Sequence, residues 1–434
     1  MYQNISLYFS SDCNMQCQYC DINKHKPEMS RNNVRVREQM RSGEYAKNII
    51  SKFSSIADRI TNISLWGMEP TINADLFEAA VCPLFDAFPN VDEVMFSTNS
   101  WLGYNRLKLF IGALDRYNKE HNRHIRLDLQ ISLDGEPWLN DKSRRAGTTA
   151  NTIQVIRDIV TQTPKDLSFD IKMHTKPTLD CEYMAIFNAN HDKLISHFKF
   201  FDDLQTEMEA LNQNKHITLQ LAQTPTLVNP GQHTVEEGRI LAEFIRNLRG
   251  IDTSQFKHFE HPLIFQPMAG LANARDLTSR NNFSHWGCCS SGRYTANVDS
   301  DGNLFSCHAL FGHGYMSENQ VIRAAQTTCE DGDHKRMQYI DLGWHEYPES
   351  KRQFVDIITY SLASAGQIDH IYLEDERWRK LLFYSLGGFY CQYGQMESTS
   401  SMWAFSTSWF KLMGNGALQE IMGYMKDCGM LGGE

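Results

Sequence analysis

The sequence predicts an α/β protein whose first 235 residues form a partial (β/α)6 barrel. Two observations predict this class: strand-like apolar runs recur along this half of the chain, and stretches with helical apolar spacing separate them. This alternation is typical of βα units that share one parallel sheet. The six predicted strands lie near Ile5–Phe9, Ile60–Trp66, Val91–Ser97, Ile125–Leu133, Leu167–His174 and Ile217–Leu221.

The helices between these strands are predicted from segment length and apolar spacing. Ala74–Phe88, Leu102–His121 and Thr149–Val160 are each suited to cross from one parallel strand to the next. A further helix is predicted at Thr234–Leu248, and cysteines return after it. We therefore divide the chain into three parts: a barrel at 1–235, a small cysteine-bearing region with a β-hairpin at 236–345, and a mostly helical segment at 346–434 that completes the second domain.

Composition and charge exclude several classes of protein. Hydrophobic residues make up 41% of the 434 residues, but no apolar run approaches the length of about 18 residues that a membrane helix needs. The net charge of −10 argues against a nucleic-acid partner, because such binding depends on neutralising phosphates. The N-terminus has neither the basic start nor the apolar stretch of a signal peptide, so a cytoplasmic location is expected. The basic stretch Lys24–Lys47 is interpreted as a solvated helix face or as a dock for an acidic peptide.

The first predicted strand leads directly into a loop with three closely spaced cysteines, Cys13, Cys17 and Cys20. A disulfide framework would need an oxidising compartment, which the missing signal peptide argues against. A structural zinc ion normally has four ligands; His25 is available as a fourth, but no second cysteine pair follows until Cys288. A cubane iron–sulfur cluster is normally held by four thiolates, so three would leave one iron open to a small chelating molecule.

This CxxxCxxC loop resembles the cluster loop of the radical S-adenosylmethionine (radical SAM) enzymes. The resemblance implies a partial TIM-like barrel and a [4Fe-4S] cluster whose open iron binds S-adenosylmethionine (SAM) through its amino and carboxylate groups. It also implies that one electron cleaves SAM to methionine and a 5′-deoxyadenosyl radical, with an electron donor such as flavodoxin or ferredoxin. Tyr19 lies just before the last cysteine, where the family usually has an aromatic residue against the adenine.

Further motifs of this family follow the second and third predicted strands. The sequence "WGMEPT" resembles the GGEP motif that holds the methionine amino group; Gly67, Glu69 and Pro70 match, whereas Met68 replaces a glycine. The sequence "FSTNS" is similar to the TNG motif, with Asn99 matching and Ser100 in place of glycine.

The fourth strand leads into "SLDG", which resembles the peptide-modifying branch of the family. The resemblance assigns Ser132 and Asp134 to the cofactor site, with Ser132 touching the methionine carboxylate. In "LNDKSRRAG", which is similar to the HDxxR segment of that branch, Arg144 is expected to pair with the same carboxylate. Arg145 is the adjacent alternative.

A second group of cysteines resembles the start of the auxiliary-cluster domains called SPASM and twitch. Twelve residues separate Cys289 from Gly302, and four separate Gly302 from Cys307, with a predicted hairpin turn at Asp299–Asn303. Because the CxxC group of a complete SPASM domain is missing, we expect a twitch-like or reduced SPASM-like domain with one auxiliary [4Fe-4S] cluster. Cys329 and Cys391 are expected to complete its ligands, with Cys288 and Cys428 as substitutes.

The resemblance implies an oxygen-sensitive enzyme that removes a hydrogen atom from a residue of a peptide or protein substrate, as in the maturation of ribosomally made peptides. Met1 lies four residues before the first strand, so any leader peptide is expected to bind a separate partner or the C-terminal half. The first alternative is a radical SAM enzyme that acts on a nucleotide or small metabolite. The second is a non-enzymatic iron–sulfur or zinc regulator, which would bind metal without cleaving SAM.

Overall fold

A computed structural model describes residues 3–20, 26–223, 226–227, 240, 243–244, 247–248, 250–259, 295–302 and 304–305. These residues separate into two compact units. The first contains an eight-stranded sheet; the second contains a short two-stranded sheet and helix α7. No described helix has the length and apolar character needed to cross a membrane.

The strands and helices alternate through most of the described chain. The strands are β1 (Asn4–Ser10), β2 (Asn62–Gly67), β3 (Glu93–Thr98), β4 (Arg126–Ile131), β5 (Ile171–Thr175), β6 (Thr178–Leu179), β7 (Ile217–Gln220), β8 (Thr226–Leu227), β9 (Thr295–Val298) and β10 (Leu304–Phe305). The α-helices are α1 (Lys26–Ser42), α2 (Glu44–Phe53), α3 (Phe77–Ala87), α4 (Tyr104–His121), α5 (Pro137–Ser143), α6 (Thr148–Gln162), α7 (Cys181–Ala189) and α8 (His191–Leu211). Short 3-10 helices occupy Ser54–Arg59, Pro70–Leu76 and Thr253–Gln255.

The large sheet has the strand order β10-β9-β1-β2-β3-β4-β5-β7. Seven neighbouring strands, β9 to β7 in this order, are parallel, and β10 is antiparallel to β9. The α/β class, the parallel sheet and all six predicted strands are therefore confirmed. The seventh parallel strand, β9, was not predicted as part of this sheet: it lies in the 236–345 region but pairs with β1.

The hairpin predicted at Asp299–Asn303 is present, since Val298 pairs with Leu304 across the turn. Gly302 has a φ of +80°, a conformation that favours glycine, and an added Cβ would lie 3.1 Å from the Asn48 carbonyl oxygen of α2. The turn is also held by Arg35 of α1, which forms a bidentate ion pair with Asp301 at 2.6 and 2.7 Å. The geometry of the turn thus explains why residue 302 is a glycine, and this explanation does not depend on any ligand of the flanking cysteines.

The register of the sheet separates an apolar face from a polar face. Phe110 of α4 stacks on Phe96 and contacts Phe9, so the helices cover the face to which these rings point. One layer of this apolar face is Val298, Leu7, Leu65, Phe96, Leu129, Met173 and Leu219. Side chains alternate along a strand, so the intervening positions form the polar face. Its members near the C-terminal ends are Tyr8, Trp66, Ser97, Gln130, His174 and Gln220.

Candidate functional site

The three-cysteine loop lies at the C-terminal end of β1, the edge where parallel α/β folds place their active sites. Cys13, Cys17 and Cys20 are partly buried. Burial, reinforced by the nearby Glu69, raises the pKa of Cys13 to about 12, and the thiols of Cys17 and Cys20 add to this rise. Metal binding would displace these protons, because the thiolate is the ligand.

Hydrogen-bond donors surround the sulfur atoms. Asn99 Nδ2 lies 3.6 Å from Cys13 Sγ, and Arg144 Nη1 lies 4.0 Å from Cys17 Sγ. Donors of this kind stabilise thiolates and tune iron–sulfur clusters. Within the described ranges, no three histidine, cysteine or acidic side chains converge on one metal ion.

Glu69 lies next to this loop at the end of β2. Its backbone N–H donates to the Asp12 carbonyl at 2.9 Å, which ties the two strand exits together. Its carboxylate accepts from the Thr71 hydroxyl and N–H, the Thr98 hydroxyl and the Asn99 N–H, at 2.6 to 3.1 Å. Burial nevertheless raises the pKa of Glu69, and these hydrogen bonds oppose the rise. No arginine, lysine or histidine of the described chain forms an ion pair with it.

The residues before and after Glu69 have clear backbone roles. Gly67 has a φ of +115°, and a Cβ there would overlap the Ser10 carbonyl oxygen, so only glycine lets β2 lie this close to the end of β1. Pro70 is the first residue of the 3-10 turn that Glu69 caps. Met68 has no positive φ, because Ser100 and Asn122 are the only described non-glycine residues that do. Its replacement of the usual glycine therefore causes no such strain here.

The exit of β3 carries Asn99 and Ser100. Asn99 connects Glu69 to the cysteine loop. Its backbone N–H donates to the Glu69 carboxylate, and its side chain donates to Asn14 of the loop at 2.8 Å. Ser100 has a φ of 60°, which explains why the TNG motif usually has glycine at this position.

The exit of β4 carries a buried ion pair. Arg144 Nε and Nη2 donate to the two carboxylate oxygens of Asp134 at 2.7 and 2.8 Å. The Tyr19 hydroxyl donates to Asp134 at 2.9 Å, and the Arg144 guanidinium lies 5.4 Å from the centre of the Tyr19 ring. Asp134 thus joins the cysteine loop to Arg144. Ser132 is half-buried here, and its N–H donates to the Thr98 carbonyl at 2.9 Å.

These contacts refine the sequence-based expectations for Tyr19 and Arg144. The fork of Arg144 that we expect to hold the methionine carboxylate is engaged by Asp134, which leaves the Nη1 side facing Cys17. Arg145 is exposed and stacks on Trp101 at 4.4 Å, so Arg144 is the arginine that faces the site. The roles of these residues toward SAM stay predictions.

Other residues support the site although the sequence motifs did not predict them. Thr71 and Thr98 were not predicted, although both hold Glu69. Asn140, in the position where the related motif has histidine, accepts from the Asp134 N–H at 2.8 Å and donates to Thr149 at 3.0 Å. The predicted auxiliary ligands Cys289, Cys307, Cys329 and Cys391, and the substitutes Cys288 and Cys428, lie outside the described residues.

Three solved structures are similar to this chain. Native anSMEcpe with bound AdoMet and Cp18Cys peptide is 12% identical, with 98% of this chain and 97% of that chain covered and a TM-score of 0.48. Native anSMEcpe with bound AdoMet is also 12% identical at the same coverage, with a TM-score of 0.49. Hexahistidine-tagged anSMEcpe with bound AdoMet is 14% identical, with 72% and 75% covered and a TM-score of 0.40. TM-scores below 0.5 do not establish a common fold.

No curated protein matches this chain. Residues 7–167 match the sequence model of the Radical SAM superfamily. This range includes the cysteine loop, Glu69, Asn99, Asp134 and Arg144, the residues that the structure brings together at the C-terminal ends of β1 to β4. Over residues 7–167 the chain is therefore similar in sequence to the Radical SAM superfamily.

Proposed function

We propose that this chain is a radical SAM enzyme that modifies a peptide or protein. A [4Fe-4S] cluster on Cys13, Cys17 and Cys20, together with SAM, would supply a 5′-deoxyadenosyl radical that removes a hydrogen atom from one substrate residue. The observation that carries this proposal is the buried Glu69 carboxylate beside the cysteine loop, with no cationic partner in the described chain. A buried carboxylate in that state favours an ammonium ligand such as the methionine amino group of SAM.

The residues around the loop have separate tasks in this proposal. Thr71, Thr98 and the Asn99 N–H orient the Glu69 carboxylate. Asp134 fixes Tyr19 and Arg144, so the positive charge of Arg144 stays next to Cys17. Ser132 lies at the same strand exit as this pair. These residues thus offer an anion-binding group next to Cys17 and a cation-binding group near Cys13, which suits an amino acid that carries both charges.

The peptide substrate is the finer part of the proposal. It is supported by the resemblance of residues 132–135, "SLDG", to the peptide-modifying branch. An auxiliary cluster on Cys289, Cys307, Cys329 and Cys391 is proposed on the spacing around Gly302 alone. Its role would be to accept an electron from the substrate or to bind a substrate sulfur.

The test is an anaerobic assay of reconstituted, chemically reduced protein for 5′-deoxyadenosine and methionine. We expect both products from the wild-type chain, and neither from a variant with Cys13, Cys17 and Cys20 changed to alanine. The variant should also lose about four iron atoms per chain. Undiminished 5′-deoxyadenosine from this variant would contradict the assignment of the loop. The variant with Cys82 and Cys181 changed to alanine is the control, because both are buried cysteines that do not belong to the loop.

A further inference from the structure

Asn14 directly follows Cys13 in the cysteine loop, and its side-chain nitrogen, Nδ2, is a buried hydrogen-bond donor without an acceptor. Of the buried asparagine and glutamine nitrogens in the described chain, it alone is in this state. Asn73 Nδ2, for comparison, donates to the Phe9 carbonyl at 2.8 Å. A buried N–H without an acceptor is unfavourable, because it has lost its water and gained no partner. The Asn14 amide is therefore an exception that needs an explanation.

The hydrogen bonds of Asn99 determine which end of the Asn14 amide lacks a partner. The Trp101 N–H can only donate, so the side-chain atom of Asn99 that faces it at 2.9 Å is the oxygen. Asn99 Nδ2 is thus free to donate to Asn14 at 2.8 Å, and the atom of Asn14 that accepts this bond must be the oxygen. The end of Asn14 without a partner is therefore the nitrogen, and the group that it lacks is an acceptor.

The Asn14 amide is linked to the sulfur atoms of the loop. Asn99 Nδ2 lies 2.8 Å from Asn14 Oδ1 and 3.6 Å from Cys13 Sγ, so one nitrogen bridges the amide and the sulfur. Gln16, two residues further along the same loop, has an exposed side chain, and water solvates its amide. A group bound beside Cys13 is placed to supply the acceptor for Asn14. The sulfur atoms of an iron–sulfur cluster accept hydrogen bonds of this kind.

We infer that Asn14 donates a hydrogen bond to a sulfur atom of the cluster on Cys13, Cys17 and Cys20, and that this bond raises the reduction potential of the cluster. The inference rests on the proposed function and adds a residue that controls its electron transfer. Reduction places one further electron on the cluster, so a donor to sulfur stabilises the reduced state more than the oxidised state. The carboxylate of SAM on the open iron is a second acceptor of the same chemistry. We favour the cluster because Asn99 already connects Asn14 to a cluster ligand, Cys13.

The test measures the reduction potential of full-length protein that is loaded with iron and sulfide and kept free of SAM. The protein is titrated anaerobically with dithionite, and the electron paramagnetic resonance signal of the reduced [4Fe-4S] cluster is followed. Signals of an auxiliary cluster are identified in the variant with Cys13, Cys17 and Cys20 changed to alanine and are subtracted. In Asn14→Leu the equilibrium constant for one-electron reduction should fall about tenfold, a shift of about 59 mV to more negative potential.

Two further variants separate the donor from the shape of the loop. Asn14→Asp keeps an oxygen for the bond from Asn99 but removes the donor, so its shift should be at least as large as that of Asn14→Leu. Gln16→Leu is the matched control, because it removes an exposed amide from the same loop, and its equilibrium constant should stay within about twofold of wild type. Loss of the cluster from both Asn14 variants would mean that Asn14 shapes the loop, and it would overturn the inference.

A second measurement detects the contact itself. Electron–nuclear double resonance of the reduced cluster reveals nearby protons that exchange in D2O. One such proton should be present in wild type and Gln16→Leu and missing from Asn14→Leu. An identical set of exchangeable protons in all three proteins would overturn the inference.

The remaining outcomes distinguish this inference from the proposed function. Equal potentials in wild type and both Asn14 variants would show that Asn14 does not donate to the cluster. If the potentials differ only after SAM is added, the acceptor is the carboxylate of SAM, and the inference is wrong as well. A wild-type chain that binds no cluster would instead overturn the proposed function, and this inference with it.

Discussion

Glu69 and Asp134 are both buried carboxylates at strand exits beside the cysteine loop, but their partners differ. In the described part of the chain, Glu69, 1% exposed, is held by hydroxyl and amide donors, whereas Asp134, fully buried, is paired with Arg144. The charge of Asp134 is therefore neutralised within the protein, and its carboxylate holds Tyr19 and Arg144 in place. This difference supports the proposal that Asp134 builds the site whereas Glu69 binds a ligand.

The largest expected effect comes from breaking the Asp134–Arg144 pair. Arg144→Ala leaves Asp134 buried without a counter-charge, so we expect the free energy of unfolding to fall by about 3–5 kcal/mol. Urea denaturation measures this loss. Arg145→Ala is the matched control: Arg145 is exposed over Trp101, so its removal should cost about 0.5–1 kcal/mol. If Arg145→Ala rather than Arg144→Ala weakens SAM binding, the assignment of the arginine motif is wrong by one residue.

Gly67→Ala should be the next most damaging change, because it disrupts the backbone that presents Glu69. The new Cβ would meet the Ser10 carbonyl oxygen, a backbone atom that cannot move aside, and the φ of +115° disfavours any side chain. We expect a loss of about 2 kcal/mol or more in the free energy of unfolding. Gly103→Ala is the control for positive φ alone, since Gly103 has a φ of +78° but no atom within 4 Å of the position that a Cβ would take. Equal losses in the two variants would show that contact with Ser10 is unimportant.

Glu69→Gln tests whether the unpaired carboxylate binds the ligand. The substitution keeps the shape of the side chain but removes its charge, so the affinity for SAM should fall by about 1.5–3 kcal/mol, tenfold or more. Calorimetric titration of cluster-loaded protein with SAM measures this change, and the iron content should stay constant. Thr98→Val is the companion variant, because it removes one donor to Glu69 but leaves the carboxylate. Unchanged SAM affinity in Glu69→Gln would refute the role proposed for Glu69.

The sequence predicts the parallel sheet because each strand is an apolar run between helical segments, and all six predicted strands are present. It does not predict that β9 joins this sheet, because a strand that is separated from β1 by more than 280 residues has no local signal of its pairing. The motifs lead to residues that the fold brings together at the strand exits, but not to Thr71, Thr98 or the contact between Asp134 and Arg144. Those contacts depend on how neighbouring strand exits face each other, and no spacing along the chain encodes that.

The smallest expected effect is a pH dependence of stability that Glu69 causes. Burial raises the pKa of Glu69 in the folded protein, so the folded state binds a proton at a higher pH than the unfolded state does. Between the ordinary glutamate pKa and this raised value the folded state carries more protons, and the free energy of unfolding therefore increases as the pH falls, by at most about 1.4 kcal/mol per pH unit. The glutamine in the Glu69→Gln variant has no titratable group, so this position no longer contributes to the pH dependence. The difference in unfolding free energy between wild type and Glu69→Gln should thus grow in favour of wild type as the pH is lowered from about 7 toward the ordinary glutamate value. Urea denaturation of cluster-free protein at several pH values measures this difference. A difference that is constant, or that shrinks on acidification, would mean that the hydrogen bonds to Glu69 outweigh its burial and that the carboxylate is satisfied without a ligand.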